Sequence, residues 1–466
     1  MKGYEEYKNT GYDWLPTVPA HWNVVRNKSI LREKKEFSNT GAEELLSVSQ
    51  YTGVTKKKFK KMVGIKAAES LVGYKVVKWH DLVMNIMLAW NGSTGVSRYD
   101  GVVSPAYAVF EATPLASSYF LHYVFRSPLM TEYFKAYSTG IVDSRLRLYP
   151  EKMAGLVTAL PPREEQDQIV RYLDAKVSKI NMLIRVKQKQ IALLKEKKQA
   201  IINQAVTKGL DPNVSMKDSG IAWIGQIPGG WEVKKIKRVC NINPSVLALR
   251  KFKSGEDMVV FLAMEAISVD GNICCAEKRK IKDVKSGFSS FAKGDVVVAK
   301  ITPCFENGKG ACLDNLETPF GYGSTEFITL RPTNKCLSNF LYYITKTSYF
   351  RLSGKETMTG SAGQKRVSSI FIAQFETGIP PIKEQAAIVE YLGEVKGNTA
   401  KAINALSAII TLLTEYRTRL ISDVVTGKVD VRGIAVPDAD ALLETDADVT
   451  LDDEHDDIND EMITDE

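Results

Sequence analysis

The sequence predicts an α+β protein in which one α/β unit is built twice, the copies separated by two long antiparallel coiled-coil helices. Three observations predict this. WLPTVPAHWNVV, from Trp14, returns as WIGQIPGGWEVK, so that Trp14, Val18, Pro19, Trp22 and Val24 are answered by Trp223, Ile227, Pro228, Trp231 and Val233. PPREEQDQIVRYLDAKV, from Pro161, returns as PPIKEQAAIVEYLGEVK, from Pro380. Each of these later segments opens an apolar repeat of helical period. Internal duplication decides the architecture.

The elements follow in order. In the first interior, LVMNIM (Leu82–Met87) and AYAVFEA (Ala106–Ala112) read as strands. SSYFLHYVFRSPLMTEYFKAY then reads as helix. The second interior has VVVAKI (Val296–Ile301) and EFITL (Glu326–Leu330) as strands, followed by helical SNFLYYITKTSYFRLSG. Asp81 matches Asp295, and Gly101, Ser104 and Tyr107 match Gly321, Ser324 and Phe327. The offset drifts between fixed anchors, as expected for copies whose interiors gained and lost loops.

Each Pro pair suits a helix start, where the missing N–H is not needed. Glu164, Glu165 and Glu384 fall in the first turns, where the helix dipole favours negative charge. Steps of three and four from Val170 reach Leu173, Val177, Ile180, Ile184, Lys187, Ile191, Leu194, Lys198, Ile201 and Ala205, nine of the eleven being apolar. The same steps from Val389 pass through Ile403, Leu406, Ile410, Leu413 and Leu420, with eight of eleven apolar. Such a sustained seam is that of a coiled coil. Lys198 and Arg417, at equivalent seam positions, suit long cations that reach out of a seam better than a docking contact.

Composition sets the partner class. At 466 residues, 44% hydrophobic and 25% charged, the chain has ample material for globular cores. No apolar run could span a bilayer, and MKGYEEYKNT holds no signal core, so a cytoplasmic protein is expected. All six cysteines lie between Cys240 and Cys336 without metal-ligand spacing, which argues for reduced thiols and no metal site. Residues 437–466 carry fourteen Asp or Glu and no Lys or Arg. Without them 62 basic residues face 41 acidic ones, a net charge of +21 that points to a polyanion such as nucleic acid.

The chemistry of the common DNA enzymes is missing from the sequence. The nearest approach to the Asn/Asp-Pro-Pro-aromatic loop that holds a flipped adenine is Asn243-Pro244-Ser245. There is no GxxxxGK[ST] for nucleotide phosphates, and the sole Pro-Asp, at Pro437, is followed by no lysine. The chain is therefore expected to be non-catalytic, with no catalytic residues and no metal ligands.

Taken together, GLDPNVSMKDSGIAWIGQIPGGWEV, the doubled PPxxEQxxIVxYL, ITPCFENGKGA, FGYGSTEF and MTGSAGQKRV make residues 1–433 resemble the specificity subunits of type I restriction–modification enzymes. That resemblance implies two target-recognition domains, each reading one half of a split double-stranded DNA site, with two helices as spacer and dock. The expected division is 1–160, first target-recognition domain; 161–210, first helix; 211–379, linker and second target-recognition domain; 380–430, second helix; and 431–466, a tail with no counterpart in the family pattern. The implied partners are two modification (methyltransferase) subunits and the restriction (motor-nuclease) subunits, with S-adenosylmethionine, ATP and Mg2+ on those partners and none on this chain.

DNA contacts are expected at Lys56, Lys57, Lys58, Lys60 and Lys61 of TKKKFKK, as phosphate-gripping charge. Lys300, Thr302, Asn307 and Lys309 frame the ITPCFENGKG turn, where base edges, phosphates or a purely structural role are all open. Gln364 and Lys365 lie on a polar Gly-rich loop. Arg147 and Arg366 stand at the repeat offset; an arginine kept in both copies suits a structural role as well as readout, since two halves should read different bases. The acidic tail has the composition of a solvating segment and could mimic DNA charge.

Overall fold

A computed structural model describes residues 2–57, 70–142, 145–246, 254–361 and 363–436. Two compact units divide the chain. Of the described residues, one comprises those up to Lys187 together with 408–436; the other is Gln188–Ser407. The divisions fall inside the two long helices, Arg163–Lys208 and Ile382–Val425. Each unit thus holds the early half of one helix and the late half of the other, so the pair is antiparallel.

Both units are built on one plan. In the first, an antiparallel sheet orders Leu31–Lys34, Tyr107–Ala112, Leu82–Asn85 and Thr94–Val96. In the second, Cys240–Ile242, Phe327–Pro332, Val296–Ala299 and Gly310–Cys312 repeat that order. The second unit adds a sheet of Glu277–Lys280, Met258–Leu262, Phe320–Gly323 and Ser289–Ala292, with Met258–Leu262 and Phe320–Gly323 parallel. Its first-unit counterpart is looser. The hairpin Leu46–Ser49/Gly53–Lys56 meets the pair Gly101–Val103/Lys75–Val77 through the parallel bridge Leu45–Val102.

The four strands read from sequence are present; three are shortened at an end, and the fourth runs Phe327–Pro332, starting one residue later than read and ending two residues beyond Leu330. Each long helical stretch instead divides in two. Ser118–Phe125 is followed by Pro128–Tyr137, and Ser338–Lys346 by Ser348–Glu356. Pro128 disfavours a helical Ser127, whose backbone is extended and whose hydroxyl caps Met130 N–H. Thr347 does the same for Phe350 N–H without a proline's help.

The repeated words are anchors. Trp22 and Trp231 are fully buried. A Cβ on Gly427, just past the second long helix, would lie 2.3 Å from Pro19 Cδ and 3.3 Å from Trp22. Gly209, just past the first, stands against Trp231 and Pro228 in the same way. Both glycines have φ near +75°, where a side chain is strained. Trp14 stacks on Tyr133 at 4.1 Å and Trp223 on Tyr349 at 4.3 Å. The Gln of each PPxxEQ motif is a buried clasp. Gln166 Oε1 accepts Ser117 N–H and its amide donates to Leu115 and Pro161 carbonyls. Gln385 repeats this with Leu337, Lys335 and Pro380.

Asp81 and Asp295, matched in sequence, are buried turn residues. Each accepts the N–H three residues back, from Lys78 and Ala292, at 2.7 Å. The neutralising cation differs: Lys34 on Asp81 at 2.7 Å, and Arg331 bidentate on Asp295 at 2.8 Å. Removing one partner of a buried pair strands the other's charge. Asp295→Ala is therefore expected to destabilise the second unit by about 3–5 kcal/mol. Urea unfolding would show it as a lower midpoint, and a loss below about 1 kcal/mol would refute the pairing as a stabilising contact.

Candidate nucleic-acid interface

Several predicted residues converge in the second unit. The loop before Val367 folds back on itself through the Thr359–Arg366 bridge, and Arg366 also bridges Ile301. Thr302 N–H donates to Lys365 O, and Thr302 Oγ1 to Gly363 O at 2.5 Å. Lys300, Thr302, Gln364, Lys365 and Arg366 are thus brought together, with Gln364 and Lys365 exposed. Arg366 is not idle charge. It grips Glu326 through Nε and Nη2 at 2.9–3.1 Å, and the carboxylate raises its already high pKa. Beside it opens a cavity of about 430 Å3, lined among others by Lys300, Asn243, Ser290, Thr359 and Arg366.

Asn307 and Lys309 belong to the neighbouring turn. Asn307 is exposed at its tip, and Gly308 has φ +69°. The turn is tethered from beneath: Lys346 Nζ donates to Gly308 O and Val269 O at 2.5 Å, and burial pushes this ammonium down to about 7. Arg351 spans from Glu306 O to Gln199 Oε1 on the first long helix.

In the first unit, the equivalent loop pairs Thr139 with Arg147, whose Nη1 donates to Leu146 O. It differs after the shared Thr-Gly, since Ile141 is fully exposed and Val142 half-exposed where the second unit's sequence continues Ser361-Ala362. Lys56 pairs with Glu44 at 2.6 Å and lies 5.4 Å from the Tyr99 ring, while Lys57 is exposed. Lys58, Lys60 and Lys61, like the acidic tail, lie outside the described residues.

The seam residues turn inward. Ile180 and Leu420 are buried, and Ile184, Ile191, Leu194, Ile201, Ile403, Leu406, Ile410 and Leu413 partly so. Lys198 is paired with Asp270 at 2.6 Å, and Arg417 donates to Asn181 at 2.6 Å. Apolar side chains off the seam are left outside: in the first unit Met182, Leu183 and Val186 on one helix, and Ile409, Leu412 and Tyr416 on the other. Counting seam positions passed over them. Their own three-and-four spacing is the signal that could have found them.

Comparison with known proteins bears on this arrangement. The family profile described as "Type I restriction modification DNA specificity domain" matches residues 228–410, which take in the second unit's sheets, its loop and its cavity. Residues 228–410 carry a type I restriction–modification DNA specificity domain. Among its relatives, the EcoAI specificity subunit of Escherichia coli is 39% identical over 167 residues, 35% of this chain and 28% of that protein. The MjaVIII specificity subunit of Methanocaldococcus jannaschii is 24% identical over 325 residues, covering 67% of this chain and 72% of the relative. A solved structure described under "complex assembly" and "conformational transition of the type I R-M system" shares the fold. It has a TM-score of 0.65 at 16% identity, over 88% of this chain and 99% of the other. The match to the EcoAI protein spans about a quarter of that relative's length. Among the described residues, no helix is long and apolar enough to cross a membrane.

Proposed function

We propose that this type I specificity subunit reads a bipartite double-stranded DNA target, one half with each unit, and carries no catalysis of its own. The observation that carries this reading is one sheet-and-loop framework built twice with different loop chemistry. In the loop ending at Arg147, exposed Ile141 and Val142 suit a thymine methyl, while Gln364 and Lys365 offer hydrogen bonds to base edges or phosphates. The contacts come from Lys56–Lys61 and the loop ending at Arg147 in the first unit, and from Lys300, Thr302, Asn307, Lys309 and residues 364–366 in the second.

The long helices separate the readers, and their exposed apolar faces dock two modification subunits. Restriction subunits join that complex. S-adenosylmethionine, ATP and Mg2+ act on those partners, and the assembly works in the cytoplasm.

The test is methyl transfer from labelled S-adenosylmethionine to DNA. The expected result is none with the chain alone, none or little with the modification subunit alone, and sequence-specific methylation with both. Transfer by the purified chain alone would overturn the non-catalytic assignment.

A further inference from the structure

Around the cavity of the second unit the two copies differ at two matched positions. In the paired strands Phe327 stands opposite Ala299 as Tyr107 stands opposite Asn85, and Ser289 opposite Gly323 as Lys75 opposite Val103. Lys75 Nζ donates to Tyr107 O at 2.5 Å, and Ser289 Oγ donates to Phe327 O at 3.1 Å. The contact is the same, made by a long side chain in one copy and a short one in the other. Where the first unit has a lysine, the second has the shorter serine, beside the cavity. The second exchange adds charge: Lys300 takes the place of Ile86, one residue beyond each central strand's last pair.

Beside the apolar Phe327, Ile328 and Val367, the wall holds a set of donors. Lys300 is fixed by its backbone, its N–H on Glu326 O at 2.8 Å and its carbonyl on Val367 N–H at 2.9 Å. Its ammonium has no carboxylate partner among the described residues. Glu326, close by, is taken by Arg366 through both carboxylate oxygens. Asn243 Oδ1 is spent on Thr329 N–H at 2.9 Å, which leaves its NH2 to donate. Ser290, Thr325, Thr359 and Ser369 add hydroxyls. A hydroxyl can give or accept a hydrogen bond, but an ammonium and an amide NH2 only give. One uncompensated positive charge, ringed by donors in about 430 Å3, matches an oxyanion carried on a larger body.

We propose that this cavity is an oxyanion pocket that receives one phosphodiester group of the DNA backbone, with Lys300 as its charge and the surrounding hydroxyls as its cradle. It rests on the DNA-binding reading above and adds to it that Lys300 positions the duplex without reading a base. The first unit, which fills the equivalent place with Lys75, grips the backbone elsewhere. Arg366, locked on Glu326, braces the loop whose residues meet the duplex.

The full chain would be titrated with a random-sequence 30-bp duplex pool over a range of salt, as wild type, Lys300→Arg and Lys300→Gln, and the bound DNA sequenced. Each phosphate contact contributes about 0.9 to the slope of log affinity against log salt. Lys300→Gln should lower the slope by about that amount, so the wild type's advantage narrows about 3.5-fold from about 50 to about 200 mM salt. Lys300→Arg should keep the slope, and all three should enrich the same sequence. A parallel arm measures thermal protection by inorganic phosphate. A shifted motif at unchanged slope would make Lys300 a base reader and overturn the proposal. So would an unchanged slope with lost phosphate protection, which would assign the pocket to a free phosphate. A wild-type chain that binds no DNA brings down the functional reading as well. A wild type that binds, with a Lys300→Gln slope equal to its own, brings down the pocket alone.

Discussion

Inserting one heptad into each long helix is expected to lengthen the unspecified gap in the DNA target by about one to three base pairs while leaving both half-sites unchanged. The helices run unbroken for 46 and 44 residues. Every one of the eleven seam positions in each is buried or partly buried, from Val170 to Ala205 and from Val389 to Val424. Seven residues restore the seam register, so the pair can still form. They add about 10 Å at 1.5 Å per residue, near three base-pair rises of about 3.4 Å. The added length also turns one reader around the duplex relative to the other, so DNA or protein must twist and modification should weaken. A four-residue insertion shifts the seam as a stutter does and should be worse. Methylation would be measured on targets with graded gaps. Full-rate modification confined to the original gap would remove the helices from the role of spacer.

Much of this architecture was legible because duplication repeats its own constraints. The tryptophans recur because each unit needs a large apolar plug against a helix end, and only a close-packed glycine fits beside it. PPxxEQ recurs because its glutamine ties helix to sheet layer through three hydrogen bonds in both copies. Asp81 and Asp295 aligned because a turn demanded the same side chain, although the cation answering it moved from Lys34 to Arg331. The heptad seams were legible since period alone specifies which face turns inward.

The cavity was not legible. Lys300 and Arg366 stood among the sequence candidates, but the rest of its wall comes from residues such as Asn243, Ser290, Thr325 and Thr359, positions far apart in sequence and of types that occur on any surface. The ion pair of Arg366 with Glu326 spans 40 residues and has no spacing rule. The division of each post-strand stretch into two helices was signalled by Pro128 in one copy. In the other it rests on Thr347, which single-sequence propensity does not mark as a break.

The most direct test of two independent readers is to replace residues 23–160 with the corresponding interior of a related specificity subunit. The ends of this graft meet in one ladder, Asn23 standing opposite Leu160 and Arg26 opposite Val157. Trp22 and Gln166, which clasp the unit to its helices, stay in place on either side. The junction therefore asks for two adjacent strand ends and no new contact in the second unit. Methylation by the chimaera with its modification subunits, mapped over a random-sequence library, should show one half-site exchanged and the other half-site and the gap as before. A target changed in both halves, or one that becomes continuous, would contradict the account.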